Sequence, residues 1–309
     1  MSVWTVSPWW FDPDAIRRLG RGIRLDPTEF TVGGAANPDL IELVAEPYVS
    51  VDDVIEQLGE LEARLVERDD RRSIFLTVYT EMTEHTASAI DAGQFDDPGW
   101  MRRYLVRFAE YYRRAFRGFE TGTYTQVPDP WIVAFGTAIR GDALVIQDAF
   151  LGINAHIVHD LALTLSDVGL DPDRESKYAD HRRVDDILAR LVIIQRELLA
   201  EQYAPGLSRI GKSIAGLDER WSASTLRGAR ETAWRAAVVR TDTRWRRIKT
   251  TTDWLLSRTA TGGASFLLSP TVSPSTMEAL HAVEADRVDI GSYARGFHER
   301  ATVEKVIDV

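Results

Sequence analysis

The 309-residue chain contains no cysteine, and it contains only four lysines, at positions 177, 212, 249 and 305. The lack of cysteine excludes disulfide bonds, thiolate zinc sites and cysteine nucleophiles, so a bound metal would depend on His, Asp and Glu. The few lysines and the formal net charge of −10 fit two interpretations. One is a protein of a halophilic archaeon, where excess negative charge keeps proteins soluble in a salt-rich cytoplasm. The other is an ordinary acidic protein encoded by a GC-rich genome.

Long hydrophobic runs are also missing. No stretch contains the roughly 20 consecutive apolar residues that a membrane-spanning helix needs, and residues 1–18 lack the basic start and apolar core of a signal peptide. An acidic chain is also a poor candidate for nucleic-acid binding. We therefore expect a cytoplasmic protein with neither membrane nor nucleic acid as a partner, and the sequence leaves its oligomeric state open.

The apolar residues that are present recur at helical spacing. Ser50 and Asp53 form a capping box before an apolar stripe, and Asp97-Pro98 starts another helix. We predict an all-α protein with a single multi-helix, bundle-like domain over residues 50–260. Pro- and Gly-containing turns predict an irregular N-terminal arm over residues 1–49, packed on the body with Trp4, Trp9 and Trp10. Residues 261–309 are predicted to form a C-terminal extension that ends in a loose tail.

A break at Pro205-Gly206 is predicted to separate a long helix from a shorter one. The first covers about residues 173–202, and a shorter helix covers about 207–216. The last long helix is predicted over about 222–256, with Trp234 and Trp245 on one heptad-like seam that faces the core.

The most unusual stretch is residues 141–169, predicted as one long apolar helix with a polar centre. His156, His159 and Asp160 stand at i, i+3 and i+4, so they share a helix face. His181 and Asp185 would lie at a similar height on the next, antiparallel helix. Because imidazoles and carboxylates suit zinc, iron or manganese, these five residues are the predicted metal ligands. The candidate catalytic residues are Asn154, His156 and Asp160.

Several functions fit this cluster. A metal-dependent hydrolase would use the metal to activate water, and a helical iron site of the oxygenase type is another enzymatic interpretation. The third is a non-enzymatic binding or scaffold protein in which Asn154, His156 and Asp160 form a satisfied buried network. Whether the protein is an enzyme stays open at this point.

The segment 220–258 is basic, with ten basic and three acidic residues and a net charge of +7. Its arginines are expected to pair with acidic helices elsewhere in the chain. An exposed stripe would instead favour nucleic acid or anionic lipid. Arg244, Arg246 and Arg247 are also candidates for binding an anionic small molecule beside the central cluster.

Three pieces of the sequence resemble one known family over roughly residues 50–260. The central piece is Gly152-Ile153-Asn154-Ala155-His156-Ile157 followed by Asp160-Leu161. The flanking pieces are Phe95-Asp96-Asp97-Pro98 with Trp100-Met101, and Tyr178-Ala179-Asp180-His181 with Val184-Asp185-Asp186-Ile187-Leu188. These pieces resemble the family called domain of unknown function 5995. The resemblance implies an α-helical protein of bacteria and halophilic archaea, and it brings no established activity or catalytic residues.

Overall fold

Helices make up all the regular structure in the part of the chain that the computed structural model describes, residues 13–32, 37–210, 223–269, 274–287 and 289–307. The all-α prediction is confirmed. The helices are α1 (Pro13–Arg24), α2 (Pro38–Leu43), α3 (Val51–Glu67), α4 (Ser73–Asp91), α5 (Pro98–Glu120), α6 (Asp129–Arg140), α7 (Val145–Asn154), a π-helical turn (Ala155–Asp160), α8 (Leu161–Val168), α9 (Arg174–Ile210), α10 (Ala223–Asp242), α11 (Arg246–Leu268), α12 (Pro274–Arg287) and α13 (Ile290–Ile307). Short 3₁₀ helices cover Pro27–Phe30 and Tyr124–Gln126.

Local sequence signals explain where several helices begin. The Ser50 hydroxyl accepts a hydrogen bond from the Asp53 backbone N–H at 3.1 Å, which satisfies one of the free donors at the start of α3. The Asp97 carboxylate does the same for the Trp100 N–H at 2.8 Å, with Pro98 in the first turn of α5. Both helices then bury one apolar stripe, as the spacing predicts.

The centre of the fold is the continuous segment formed by α7, the π turn and α8. It packs against α4, α5, α6, α10 and α11. The sequence predicts a single helix over 141–169, whereas the helical segment covers 145–168 and contains a π turn in its middle. The Leu161 N–H there bonds to the carbonyl of His156, five residues back. A π turn is an insertion in an α-helix that often accompanies a functional site.

The N-terminal arm, for which the sequence predicts irregular structure, contains α1 and α2 in its described part. Helix α1 lies against α11 at a backbone contact between two glycines. A Cβ atom at Gly22 would lie 1.9 Å from the carbonyl oxygen of Arg258, and one at Gly262 would lie 1.6 Å from that of Arg18. Only glycine permits this approach. Trp4, Trp9 and Trp10 lie outside the described residues.

The described part of the C-terminal extension is helical as well, whereas the sequence predicts that the extension ends in a loose tail. Helix α11 runs through Gly262-Gly263 to Leu268, and α12 and α13 follow. The side chains of Tyr293, Phe297 and Ala301 on α13 are fully buried. The glycines that suggest a loop from sequence alone are instead required by close packing on α11.

The long helices differ from the predictions in two further places. Helix α9 continues through Pro205-Gly206 to Ile210, since an internal proline kinks a helix without always ending it; the predicted helix over 207–216 lies partly outside the described residues. The predicted helix over 222–256 is broken at 243–245. The tryptophan seam is broken there too, because Trp234 is 1% exposed and Trp245 is 73% exposed.

A partly buried ionic contact links α13 to the rest of the fold. His298 donates from Nδ1 to Glu81 of α4 at 2.6 Å and from Nε2 to Glu62 of α3 at 2.7 Å. Both glutamates are buried. The hydrogen bonds to Glu62 and Glu81 raise the pKa of His298 to about 10. His298 is therefore an imidazolium at neutral pH, and it links three helices that are far apart in sequence.

We predict that His298→Gln lowers the melting temperature in a pH-dependent way. A raised pKa gives a stabilisation that is complete below the ordinary histidine pKa of about 6.5 and is lost as pH rises through about 10. Since the side chain is 36% exposed, screening limits the effect. We expect a loss of roughly 2–4 °C at pH 7, the shift that about 1 kcal/mol produces in a large domain.

The measurement is a series of thermal melts from pH 6 to pH 10.5. His281→Gln, a change on α12 outside this contact, is the matched control and should melt with the wild type throughout. A difference between wild type and His298→Gln that persists unchanged at pH 10.5 would contradict the ionic origin of the contact.

Candidate functional site

The carboxylate of Asp160 ends the π turn and is fully buried. It accepts hydrogen bonds from Trp131 Nε1 at 2.8 Å, from His156 Nδ1 at 3.0 Å and from His159 Nδ1 at 2.7 Å. An ionised carboxylate only accepts hydrogen bonds, so both imidazoles carry their hydrogen on Nδ1. Three donors from α6 and the π turn thus converge on one acceptor.

The charges of this network follow from burial and hydrogen bonding. Burial opposes ionisation of Asp160, but the hydrogen bonds from His156 and His159 outweigh it and hold its pKa below the ordinary value. Burial lowers the pKa of His156 in spite of the opposing effect of Asp160. At neutral pH the network therefore contains an ionised Asp160 beside a neutral His156.

Aromatic rings surround His156. Its ring stacks on Phe108 with centroids 3.5 Å apart and planes 8° from parallel. The Tyr79 ring stands nearly perpendicular to it, with centroids 4.5 Å apart. Phe75, Tyr112 and Trp131 complete the shell. The buried Nε2 of His156 has no hydrogen-bond partner among the described residues. This packing fixes the imidazole in place and separates it from solvent.

His181 and Asp185 belong to a different buried cluster, which is centred on Arg230 of α10. Arg230 donates from Nε to Asp185 at 2.6 Å and from Nη2 to the carbonyl of His181 at 2.7 Å. Burial, followed by the positive charge of Arg230, holds the pKa of His181 well below its ordinary value. A guanidinium already occupies the place where a metal ion would need to bind these two residues.

The structure thus brings together three of the five predicted metal ligands and places the other two around Arg230. Both oxygens of Asp160 are already engaged by N–H donors. Within the described ranges, no group of three or more His, Asp or Glu side chains is arranged to hold a metal ion. The residues present therefore do not fit a metal at these positions without loss of the hydrogen bonds described above.

Asn154, the remaining candidate residue, lines a cavity of about 650 Å³ bounded by α1, the start of α10 and the end of α11. Its amide Nδ2 donates to the carbonyl of Ala260 at 2.8 Å. A Cβ atom at Gly263 would lie 2.3 Å from Asn154 Oδ1. Gly263 therefore leaves room for the Asn154 side chain, and its neighbour Gly262 leaves room for the backbone of α1. This pair of glycines thus allows two sides of the cavity to approach α11.

The wall contributed by α1 is strongly basic. The guanidinium of Arg21 lies 5.1 Å from the centroid of the Phe266 ring and donates to Ser269 Oγ at 3.3 Å. Four arginines line the cavity, Arg17, Arg18, Arg21 and Arg24, and no acidic side chain is among its described lining residues. The described lining of this cavity is therefore basic, although the chain as a whole is acidic.

The four arginines that form this wall are not among the residues predicted from the sequence. Arg17, Arg21 and Arg24 follow the i, i+4, i+7 spacing of one helix face, so a signal was available within a segment predicted to be irregular. Arg244, Arg246 and Arg247, the residues predicted to bind an anion, are not among the described lining residues of this cavity. These residues stand at the start of α11, whereas Gly263 lies 17 residues further on, about 25 Å along the helix.

Comparisons with known proteins place the chain in one uncharacterised group. A family model described as "Family of unknown function (DUF5995)" matches residues 51–270. No curated protein matches the chain, and no solved structure matches it. In the described helices, none combines the length and apolar character needed to cross a bilayer.

We predict that Asp160→Asn lowers the free energy of unfolding by about 3 kcal/mol or more, because hydrogen bonds to a buried charge are lost and an amide N–H₂ faces N–H donors. The measurement is urea unfolding at pH 7. The depressed pKa implies that this stabilisation is present above the ordinary Asp pKa and is lost as pH falls through the lower folded-state value.

Asp186→Asn serves as the control, since that side chain is 72% exposed on α9 and should change stability little. An Asp160→Asn protein with the wild-type urea midpoint would show that the network contributes nothing to stability.

Proposed function

We propose that this chain, which belongs to the DUF5995 family of unknown function, binds a small anionic molecule in the cavity between α1 and α11. The observation that carries the proposal is the concentration of four arginines around that cavity, without an acidic lining residue among those described. In a chain with a net charge of −10, four guanidinium groups at one cavity are an unusual concentration of hydrogen-bond donors for an anion.

The chemistry of the lining supports a carboxylate- or phosphate-bearing ligand. Guanidinium groups present N–H donors in a planar fork that matches these anions. The ring of Phe266 offers an apolar surface, and the amide of Asn154 adds a polar group on the opposite side. A volume of about 650 Å³ lies within the usual range for small-molecule sites.

The same lining supports binding more than catalysis. Its described residues include no His, Asp or Glu that could move a proton, and the His/Asp network lies within the aromatic core. This interpretation corresponds to a binding protein whose buried polar network is structural.

We expect anions to raise the melting temperature of the protein, because a ligand that binds only the folded state stabilises it by mass action. Inorganic phosphate, citrate and a nucleoside monophosphate are suitable probes, with chloride at equal ionic strength as the reference. Arg24→Gln should weaken binding of the preferred anion about tenfold or more, as expected for loss of a hydrogen bond to a charged group.

Arg64→Gln is the matched control, because it removes an exposed arginine on α3 and should leave the affinity unchanged. Gly263→Ala should also weaken binding, since the new Cβ would displace the Asn154 amide. Equal shifts with all anions and in all variants would mean a nonspecific salt effect and would overturn the proposal.

A second candidate is a metal-dependent hydrolase that acts on an anionic small molecule through the His/Asp cluster, with zinc, iron or manganese as the cofactor. The contact of 2.7 Å between His159 Nδ1 and Asp160 favours it, because a carboxylate that orients an imidazole is a common arrangement at metal sites and in acid–base catalysis. The engagement of both Asp160 oxygens argues against it.

Metal analysis by mass spectrometry separates the two candidates. For untagged wild-type protein we expect less than about 0.1 equivalent of zinc, iron or manganese, because three hydrogen bonds already occupy most of the roughly four lone-pair sites of the Asp160 carboxylate. His156→Ala should melt earlier, as expected for loss of a buried, stacked ring. A near-stoichiometric metal that disappears in His156→Ala would favour the hydrolase.

A further inference from the structure

The turn between α10 and α11 exposes an unusual combination of side chains, which we name the basic corner. It comprises residues 244–249: Arg244, Trp245, Arg246, Arg247, Ile248 and Lys249. Trp245 is 73% exposed and Ile248 is 41% exposed, and the three arginines are exposed as well. Large apolar side chains within a group of cations are a recognised mark of an interaction surface.

The corner exists because the helix breaks at residue 243. The Trp245 N–H bonds to the hydroxyl of Thr243 at 3.2 Å, and Trp245 becomes the residue that precedes the first turn of α11. In a continuous helix the spacing would place Trp245 on the same buried seam as Trp234. The break turns it towards solvent instead.

The cations of the corner differ from the other arginines of the same segment. Arginines 227, 230, 235, 240 and 258 each pair with an Asp or Glu side chain. Within the part of the chain that is described, Arg244, Arg246, Arg247 and Lys249 have no ion-pair partner. The corner has a charge of +4, and the whole chain has a net charge of −10. The rest of the chain therefore has a net charge of −14.

These cations also stand where the helix itself disfavours them. The start of a helix bears a partial positive charge that favours Asp and Glu and repels Lys and Arg. The first turn of α11 contains no acidic residue. Exposed apolar surface and repelled cations at one place break two local rules for stability, and such places tend to be functional.

We propose that the basic corner binds the surface of an anionic phospholipid bilayer. The positive charge of the corner is complementary to the negative charge of the lipid headgroups. The net charge of −14 on the rest of the chain would orient the corner towards the lipid. Trp245 and Ile248 supply groups that insert at the level of the headgroups, where tryptophan is favoured.

A single-stranded nucleic acid is the competing partner for Arg and Trp together. It typically requires a groove with aromatic platforms for successive bases, whereas this surface is the turn between two helices, and the aliphatic Ile248 offers no stacking face. Lipid is therefore the better match. The proposal departs from the sequence-based expectation of no membrane partner, and the lack of a spanning helix among the described residues does not bear on surface binding.

The test is cosedimentation with vesicles of phosphatidylcholine alone and with 30% phosphatidylserine. We expect binding only to the anionic vesicles, with a loss on raising NaCl from 50 to 500 mM because added salt screens the charges. Each positive charge near a lipid surface changes affinity about fivefold, so Arg246→Gln/Arg247→Gln should bind about 25-fold more weakly. Trp245→Ala should weaken binding to the same vesicles.

Two controls keep the outcomes distinct. Arg64→Gln/Arg235→Gln removes two exposed, paired arginines elsewhere and should bind like the wild type, and all variants should keep the wild-type melting temperature. A fluorescent single-stranded oligonucleotide is titrated in parallel. Binding to the oligonucleotide but not to vesicles would overturn the lipid proposal in favour of nucleic acid, and binding to neither would overturn it outright.

Discussion

The rest of the fold depends on the hydrogen bonds to the buried carboxylate of Asp160. A charge without water around it is strongly unfavourable unless N–H donors surround it. Trp131 supplies one donor from α6, and His156 and His159 supply two from the π turn. The wider π turn and the carboxylate occur at the same place, and the aromatic side chains of α4 and α5 close around the imidazole of His156. The register of the central segment is thereby fixed against three neighbouring helices, α4, α5 and α6.

The central segment in turn positions the cavity. Asn154 precedes the π turn, so the network that fixes Asp160 also fixes the height at which the Asn154 amide meets α11. Gly263 receives that amide on one side of α11, and Gly262 receives the backbone of α1 beside it. Two consecutive glycines therefore bring α7 and α1 to the same stretch of α11, and the arginines of α1 face the space that is left between them.

Sequence alone predicts much of this architecture and less of its sites. The helices are predictable where caps and apolar stripes agree, as at Ser50 in α3 and Asp97 in α5. The cluster of His156, His159 and Asp160 is predictable from spacing, but the π turn is not, since it depends on which donors the neighbouring helices bring. Gly262-Gly263 suggests a loop because glycine is a helix breaker in isolation. The role of these two glycines in close packing follows only from the positions of α1 and Asn154 in the folded chain. His298 gives no sequence signal for its partners Glu62 and Glu81, which are more than 200 residues away.

The two basic surfaces of this acidic chain differ in their relation to the family. The basic corner lies within the matched residues 51–270, and so do Asn154, Gly263 and Phe266 of the cavity, whereas α1 lies outside them. The cavity thus combines a floor from the family domain with an arginine wall from the segment before it. In the anion site proposed above, the wall would supply the charge and the floor the shape and polarity, so the proposed site depends on the docking of α1. The backbone contact between Gly22 and Gly262 holds that wall in place, although neither glycine is among the described lining residues.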